Sequence, residues 1–293
     1  FVAILGRPNV GKSTLMNALV GEKVAITSAR AQTTRSRIMG VMTRENLQIV
    51  FLDTPGVHHP RNKLGEYMMS AVKDALDGVD AVIVMLDATD VRPTDIEIIR
   101  KYDALGVKCA LVVNKIDLVN SDTLAPLLDK LSVEKADAFI PISAQKKKGL
   151  DRLVKVLQGW MPEGPQYFPD DMITDQPERV IVAEMIREKA LRSLEEEIPH
   201  GIAVSIEKMT ERKSKGGSIC DIEATIICER DSHKGIIIGK GGQMLRRIGS
   251  QARRDIEDML EEKVNLQLWV KVKKDWRDSD FMIKNFGYDK KDI

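Results

Sequence analysis

A glycine-rich stretch near the start of the chain has the spacing of a phosphate-binding loop. Residues 6–13 read Gly-Arg-Pro-Asn-Val-Gly-Lys-Ser and fit the pattern G-x-x-x-x-G-K-S between a strand-like and a helix-like run. Glycines let backbone amides close around phosphate oxygens, Lys12 neutralises the terminal phosphates, and the Ser13 hydroxyl binds Mg²⁺. The pattern predicts a nucleoside triphosphate site with Mg²⁺. Its predicted contacts are Gly6, Arg7, Pro8, Asn9, Val10, Gly11, Lys12, Ser13 and Thr14.

Three further short motifs narrow the nucleotide to one that carries guanine. Residues 53–56 (Asp-Thr-Pro-Gly), 114–117 (Asn-Lys-Ile-Asp) and 143–144 (Ser-Ala) each follow a strand-like run. The aspartate of the first motif can hold a water of the metal, and its glycine amide can meet the γ-phosphate. The carboxylate of Asp117 can accept two hydrogen bonds from guanine N1 and N2, which adenine cannot offer. The predicted contacts are Asp53, Thr54, Pro55, Gly56, Asn114, Lys115, Asp117, Ser143 and Ala144.

A polar segment between the first two motifs is predicted to close over the metal. Residues 31–35 (Ala-Gln-Thr-Thr-Arg) lie where a threonine should reach Mg²⁺ in the GTP state. Thr33 and Thr34 both carry the required hydroxyl, and Thr34 is preferred. The predicted metal ligands are Ser13, Thr34 and Asp53. The predicted catalytic residues are Lys12, Thr34 and Gly56.

The residue after the Asp-Thr-Pro-Gly motif bears on the rate of hydrolysis. Val57 stands there, and its side chain cannot orient a water as a glutamine would. We therefore expect slow intrinsic hydrolysis that another group accelerates. One candidate is a cation supplied by a partner, and the other is a K⁺ ion that Asn9 holds against the phosphates. His58 and His59 follow in a loop and give only a weak indication of catalysis.

Alternating strand-like and helix-like runs form the framework for these motifs. Apolar runs suited to strands occupy residues 1–5, 48–52, 81–86, 110–113 and 138–142. Amphipathic stretches such as residues 95–105 and 124–131 lie between them. This βαβα order predicts an α/β phosphate-loop GTPase domain with a mostly parallel sheet and helices on both faces. The motifs then fall at the carboxyl ends of strands, where ligands bind in open α/β sheets.

A proline-rich segment divides the chain. Three prolines and a glycine within residues 161–169 end the βαβα order and indicate a linker. The pattern beyond it is α-β-β-α-β, a smaller α+β unit whose long helix has one apolar stripe from Leu245 to Met259. We predict a GTPase domain at residues 1–168, a linker at 169–178 and a second domain at 179–293.

The second domain carries a short glycine loop in a basic setting. Residues 239–242 (Gly-Lys-Gly-Gly) join an apolar run at 235–238 to the long helix. This is the arrangement of a KH domain, whose G-x-x-G loop presses against a single-stranded nucleic-acid backbone, and a helix before two strands suits type II. Residues 212–254 contain ten basic and four acidic side chains, whereas the whole chain has a net charge of +1. The predicted RNA contacts are Lys234, Gly235, Ile238, Gly239, Lys240, Gly241, Gly242, Arg246, Arg247 and Arg253.

Trp269 lies on the polar face of the last predicted strand, beside Lys271 and Lys273. A nucleic-acid base could stack on it there. We expect instead that the C-terminal segment covers it with Phe281 and Phe286.

Composition excludes several other classes of protein. The longest apolar run, residues 81–86, is too short to span a bilayer, which predicts a soluble protein. We expect it to be cytoplasmic. Three cysteines without a C-x-x-C pair argue against a disulfide scaffold or a zinc ribbon. We expect a monomer. Phe1 falls inside a strand-like run, so we also expect further residues before it.

The motifs together resemble the Era family of bacterial Ras-like GTPases. The likeness covers essentially the whole chain, and the motif positions all fit. It rests on residues 6–17, 32–35, 53–58, 114–117, 162–165, 197–200, 229–232, 235–242 and 268–276.

This resemblance implies a GTP-dependent factor in maturation of the small (30S) ribosomal subunit. It implies that the KH domain binds a single-stranded segment near the 3′ end of 16S ribosomal RNA. It also implies, from some members, a peripheral association with the inner membrane. The alternative is a GTP-controlled switch whose second domain binds a protein or an anionic membrane surface.

Overall fold

The computed structural model describes residues 1–28, 30, 32–57, 60–103, 106–132, 134–195, 198–214 and 217–288. The strands of the first sheet are β1 (Val2–Gly6), β2 (Ile38–Arg44), β3 (Leu47–Asp53), β4 (Ala81–Asp87), β5 (Lys108–Asn114) and β6 (Ala138–Pro141). Their order is β2-β3-β1-β4-β5-β6, and every neighbouring pair is parallel except β2 and β3. The predicted α/β fold and its five strands are confirmed, with the strand ends shifted by one or two residues.

The strand β2 is an antiparallel edge strand that the sequence patterns did not predict. All of its residues from Ile38 to Met42 are buried, so it has no alternation of polar and apolar side chains. Its outer backbone edge is covered as well, because the Val41 amide donates to the Ile173 carbonyl at 2.9 Å. Burial on this scale removes the period-two signal by which a strand is recognised.

Helices cover both faces of the first sheet. They are α1 (Lys12–Val20), α2 (Lys63–Asp74), α3 (Pro93–Asp103), α4 (Ser121–Leu131) and α5 (Leu150–Gln158). In β1, Val2 and Ile4 pack with α1 and α5, whereas Ala3 and Leu5 pack with α2, α3 and α4. The sheet is thus buried on both sides, as parallel sheets require.

The second domain is a three-stranded sheet with helices on one face and the C-terminal segment against part of the other. Its elements are α6 (Glu178–Ser193), β7 (Ala203–Ser214), β8 (Gly217–Cys228), α7 (Asp231–Ile238), α8 (Gln243–Leu260), β9 (Lys263–Val272) and α9 (Asp280–Asn285). The strand order is β7-β8-β9, with β8 and β9 parallel. Ile248, Ala252 and Ile256 of the predicted stripe on α8 are fully buried. Among the residues described, no helix combines the length and the apolar character needed to cross a membrane.

The proline-rich segment lies against the first domain. The Gln48 side chain bonds to the backbone of Tyr167 and Phe168, and the Thr174 hydroxyl donates to the Met39 carbonyl at 2.7 Å. These hydrogen bonds hold residues 167–174 against β2 and β3 at the edge of the first sheet. The predicted boundaries at residues 168 and 178 stay a prediction.

The C-terminal segment covers a different tryptophan from the one expected. Trp269 is 45% exposed and Phe281 is 73% exposed, so the predicted cover of Trp269 is wrong. Trp276 is fully buried instead, with its indole N–H donating to the Gly201 carbonyl at 3.0 Å and its ring 5.5 Å from that of Phe286. After β9 the chain turns at Asp275, which has φ 52°, and residues 276–288 then pack against α2 rather than along β9.

We predict that Trp276→Ala destabilises the protein by about 3–5 kcal/mol, because it removes a large buried side chain between the domains. Denaturant unfolding followed by circular dichroism measures this loss. Trp269→Ala is the matched control and should cost less than about 1 kcal/mol, since that ring is half exposed. Equal losses in the two variants would contradict this account of the interface.

Candidate nucleotide site and nucleic-acid groove

The predicted nucleotide motifs meet around one cavity at the carboxyl ends of β1, β3, β5 and β6. The cavity has a volume of about 650 Å³. The predicted residues that line it are Pro8, Asn9, Gly11, Lys12, Ser13, Thr14, Thr34, Gly56, Asn114, Lys115, Asp117 and Ser143. The predicted residues outside its lining are Gly6, Arg7, Val10, Asp53, Thr54, Pro55 and Ala144. The parallel topology thus brings together motifs that are far apart in the chain.

Two glycines of the phosphate loop have surroundings that exclude a side chain. Gly6 has φ 144° and Gly11 has φ 103°. A Cβ on Gly6 would lie 2.6 Å from the Met85 carbonyl oxygen, and one on Gly11 would lie 2.3 Å from Asn114 Nδ2. Glycine is therefore required at both positions for the loop to pack against β4 and β5.

Lys12 is buried at the base of the phosphate loop. Its Nζ donates to the carbonyl oxygens of Gly6 at 3.2 Å and Arg7 at 3.1 Å. Burial lowers the pKa of Lys12 to about 8, and the nearby Asp53 carboxylate opposes this shift. Phosphate oxygens would favour the charged form further. Lys12 is thus placed to gain a proton when a triphosphate binds.

The three predicted metal ligands converge on one another. Ser13 Oγ donates to Asp53 Oδ2 at 2.6 Å and lies 2.9 Å from Thr34 Oγ1, which is 3.3 Å from the same carboxylate oxygen. Thr33 turns away, since its hydroxyl donates to the Arg30 carbonyl at 2.7 Å. Two hydroxyls and one carboxylate are hard oxygen donors that fit Mg²⁺, which completes its octahedron with water and phosphate oxygens.

Of the predicted guanine motifs, Asn114 holds neighbouring loops together and Asp117 faces the cavity. Asn114 connects loops, because its Nδ2 donates to the Val10 carbonyl at 2.8 Å and its Oδ1 accepts from the Ala144 amide at 3.0 Å. Asp117 is exposed at the cavity wall, and a hydrogen bond from Ser143 lowers its pKa. An ionised carboxylate at this position is what recognition of the guanine N1 and N2 donors requires.

Two predicted contacts have side chains that face elsewhere. The Arg7 guanidinium bonds to the buried Asp95 carboxylate at 2.7 Å, and the Thr54 hydroxyl donates to the Ile4 carbonyl at 2.7 Å. A contact from Arg7 or Thr54 to the nucleotide would therefore use the backbone. Gln32 of the predicted metal segment also lines the cavity. The lining residues that sequence reasoning missed are Ile26, Thr27, Ser28, Leu118, Gln145 and Arg192. Arg192 comes from α6 of the second domain, and no local motif marks it.

Val57 carries no group that could orient water, and the expected slow intrinsic hydrolysis stays a prediction. Its side chain packs against the apolar cluster on the α2 side of the sheet, and its amide donates to the Gly6 carbonyl at 3.1 Å. Asn9 has φ 66° and lines the cavity. His58 and His59, and Ala31 at the start of the predicted metal segment, lie outside the described residues.

A groove of about 360 Å³ lies between α8 and β9 of the second domain. It is lined by Gly242, Leu245, Arg246, Gly249, Ser250, Arg253, Leu266 and Leu268. Basic side chains on one wall and leucines on the other suit a chain that carries phosphates and bases. Of the predicted RNA contacts, Gly242, Arg246 and Arg253 line this groove.

The glycine loop at the mouth of the groove has a backbone that favours glycine. Gly239, Gly241 and Gly242 have φ 71°, 57° and 76°. A Cβ on Gly239 would meet Met244 Cβ at 2.8 Å, whereas Gly241 and Gly242 face open space. The first glycine thus lets α8 start close to the loop, and the other two leave room for a ligand backbone to approach.

The remaining predicted RNA contacts are spread more widely. Lys240 in the loop and Gly235 on α7 are exposed, Lys234 is half-buried, and Ile238 packs partly against the domain core. Arg247 lies on another side of α8, where it lines a smaller concavity together with Lys189, Arg192 and Arg254. The helix therefore carries two basic stripes, which the sequence analysis treated as one.

Comparison with known proteins assigns the family. The model of the 50S ribosome-binding GTPases matches residues 1–115, and the KH domain model matches residues 197–277. GTPase Era of Clostridioides difficile (strain 630) is 54% identical over 99% of this chain and 98% of its own length. The chain belongs to the Era family of GTPases. A second relative, GTPase Era of Lacticaseibacillus paracasei, is 50% identical over 100% of this chain and 97% of its own length.

Solved Era structures have the same fold over the whole chain. A crystal structure of an Aquifex aeolicus Era variant bound to GDP and AlF4⁻ has a TM-score of 0.93 and 43% identity, with 98% of each chain covered. A crystal structure of Era with MgGDPNP and nucleotides 1506–1542 of 16S ribosomal RNA has the same TM-score and identity, covering 98% of this chain and 97% of that one. The protein is accordingly a GTPase with a C-terminal KH domain, as the motifs predicted.

Binding of a guanine nucleotide should take up protons near pH 8. At that pH about half of the free protein carries a neutral Lys12, and bound phosphates raise its pKa, so about half a proton enters per nucleotide. Calorimetric titration of GDP in two buffers with different ionisation enthalpies measures this uptake. Uptake should shrink at pH 7, where Lys12 is already charged. Identical heats in both buffers at pH 8 would contradict the role of Lys12.

Proposed function

We propose that the GTP-bound protein binds a single-stranded segment near the 3′ end of 16S ribosomal RNA and assists maturation of the 30S subunit. The groove of the second domain carries this proposal, because the glycine loop and a basic wall formed by Arg246 and Arg253 meet in it. The relative that was crystallised with 16S ribosomal RNA nucleotides supports it, since it shares 43% identity across nearly the whole chain.

We propose the following roles in the nucleotide site. The phosphate-loop amides and Lys12 bind the phosphates, and Ser13, Thr34 and Asp53 hold Mg²⁺, which neutralises charge on the transferred phosphoryl group. Gly56 presents its amide to the γ-phosphate. A Cβ on Gly56 would lie 2.6 Å from the backbone nitrogen of Pro8, so this glycine lets the Asp-Thr-Pro-Gly turn pack against the phosphate loop.

The shape of the groove suits a single strand better than a duplex. Leu266 and Leu268 line the groove and offer an apolar wall to unpaired bases. A Cβ on Gly249 would lie 3.2 Å from Leu268 Cδ1, so α8 and β9 approach closely at the floor. Unstacked bases can enter such a groove, whereas paired bases present only their edges and backbone.

A second candidate function is docking to a protein or to an anionic membrane surface, including peripheral association with the inner membrane. The stripe formed by Arg247 and Arg254 favours it, because these residues lie outside the groove beside Lys189. A basic surface binds anionic headgroups without needing a glycine loop. The two functions therefore depend on different residues of α8.

The glycine loop distinguishes the two candidates. The double substitution Gly241→Asp and Gly242→Asp should abolish binding to a short RNA that copies the 3′ end of 16S ribosomal RNA, because each carboxylate blocks and repels the backbone. Fluorescence anisotropy measures the affinity. Gly78→Asp is the matched control, since Gly78 also has a positive φ of 71° with open space around it but lies in the first domain. No measurable RNA binding by the unmodified protein, together with vesicle binding that the double substitution leaves intact, would favour membrane docking.

Nucleotide state should change the RNA affinity. We expect the native RNA sequence to bind more tightly with a non-hydrolysable GTP analogue than with GDP, and a scrambled RNA to show no such difference. Equal, weak and salt-sensitive binding of both RNAs would leave the GTPase assignment intact and would contradict the RNA-directed switch.

The monovalent cation tests the proposed K⁺ site. If Asn9 holds K⁺ against the phosphates, the intrinsic turnover of GTP should be faster in potassium than in sodium buffer, and Asn9→Ala should remove the difference. Steady-state phosphate release measures both rates. Equal turnover of the unmodified protein in the two buffers would leave a cation from a partner as the accelerating group.

A further inference from the structure

The second domain holds the segment that carries Thr34. Within this segment, Thr27, Arg30, Thr33 and Arg35 each hydrogen-bond to α6 or to the chain that follows it. Thr34 itself faces the opposite way, toward Ser13 and Asp53 of the first domain. The segment has no helix or strand among its described residues, so these contacts largely decide its position.

Arg187 makes the contact nearest to the metal ligands. Its Nη2 donates to the Thr33 carbonyl, which belongs to the peptide bond between Thr33 and Thr34. Its Nε donates to Glu184 at 2.8 Å. The Arg187 side chain is fully buried. Burial lowers the pKa of Arg187 and the Glu184 carboxylate raises it, and the carboxylate prevails. Arg187 is therefore a fixed, permanently charged donor.

Arg35 also links the two domains, but here the arginine belongs to the Thr34 segment and its acceptors belong to the second domain. It donates to the carbonyls of Ile202 at 2.7 Å and His200 at 3.1 Å, and to the Tyr288 hydroxyl at 3.1 Å. Its guanidinium also lies 5.5 Å from the ring centroid of Trp276. Both neighbours of Thr34 along the chain are thus bound to the second domain.

The other end of the segment is bound to the same helix. Glu188 accepts from the Thr27 amide at 2.9 Å, and Arg192 donates to the Thr27 carbonyl at 2.9 Å. Glu188 is fully buried and also accepts from Lys23 at 2.7 Å. The adjacent residues Arg187 and Glu188 of α6 therefore hold the segment at Thr33 and at Thr27, and Arg192 one turn later holds Thr27 as well.

Stability alone does not account for charged residues in these places. Burying a charge costs free energy, and well-packed apolar residues are often at least as stabilising as a buried ion pair. Three consecutive residues of α6, Arg187, Glu188 and Lys189, are nevertheless buried, and two of them bond to the Thr34 segment. The charged side chains instead provide directional hydrogen bonds, each of which fixes the position of one backbone group.

We infer that Arg187 is a positioning residue for GTP hydrolysis, which holds Thr34 beside Ser13 and Asp53 from outside the nucleotide domain. Through it the second domain completes the Mg²⁺ site of the GTP state. The GDP state depends less on Thr34, because γ-phosphate and metal contacts are what order such segments. The inference concerns the GTPase activity itself and does not depend on which RNA the KH domain binds.

Arg187→Ala should weaken binding of Mg²⁺ with a non-hydrolysable GTP analogue by about 10- to 100-fold, the usual range for losing a hydrogen bond from a charged group. The affinity for GDP should change less than about twofold, which also reports an intact fold. The rate constant kcat should fall, and the Mg²⁺ concentration needed for half-maximal turnover should rise. Arg187→Lys keeps the charge but loses the forked geometry, so it should show a smaller loss of the same kind.

Arg179→Ala is the matched control, because Arg179 lies on the same helix but bonds to the Ile206 carbonyl within the second domain. This variant should keep the ratio of GTP-analogue to GDP affinity. If Arg187→Ala does not bind GDP, the variant has not folded. The ratio of GTP-analogue to GDP affinity in Arg187→Lys then tests the inference.

The pairing with Thr34 separates positioning from general stability. If Arg187 acts through Thr34, the double variant Arg187→Ala with Thr34→Ala should bind the GTP analogue no more weakly than Thr34→Ala alone. Additive losses, or equal losses of GDP and GTP-analogue affinity in Arg187→Lys, would overturn the inference.

Discussion

The hydrogen bonds that join Ser13, Thr34 and Asp53 are the constraint on which the rest of the structure depends. Asp53 is fully buried, and burial raises its pKa while Lys12 and the two hydroxyls lower it. A carboxylate in this position is stable only if its partners are in place. Ser13 is fixed by the start of α1 and Asp53 by the end of β3. Thr34 lies in neither a helix nor a strand, so contacts with other parts of the structure must set its position.

The interface between the domains supplies that placement, and it combines two kinds of contact. Apolar side chains of α2 pack with Trp276, Ile283 and Tyr288. This packing buries apolar surface but does not fix the orientation of individual groups, because the hydrophobic effect is non-directional. The charged groups of α6 and Arg35 bond to individual backbone atoms, which gives direction. An interface of the first kind alone would allow the domains to shift slightly. The second kind ties their orientation to the Mg²⁺ site.

The residues predicted from the sequence are those whose roles follow from local geometry. Gly6 and Gly11 are required by backbone angles and close contacts within a short loop, so a spacing pattern finds them. Arg187 and Arg192 bond to backbone groups 154 and 165 residues earlier in the chain, and no local pattern records such distances. The strand β2 escaped prediction for a related reason, since Ile173 from beyond the first domain's last helix buries its edge.

The same reasoning bears on how the two sites are linked. Asp255 lies on α8, the helix that begins at the glycine loop, and it accepts from Lys23 at 2.9 Å and from Lys189 of α6. A continuous chain of contacts therefore connects the groove with the loop after α1 and with the Thr34 segment. Contacts alone do not transmit a signal, because coupling requires an element with two arrangements that both ligands favour unequally. γ-Phosphate binding and the hydrogen bonds from α6 would act on the same few peptide groups of the Thr34 segment, so an element of this kind would lie there. From α8 the contacts run from Asp255 to Lys189, from Lys189 to Glu188, and from Glu188 to the Thr27 amide at the start of that segment.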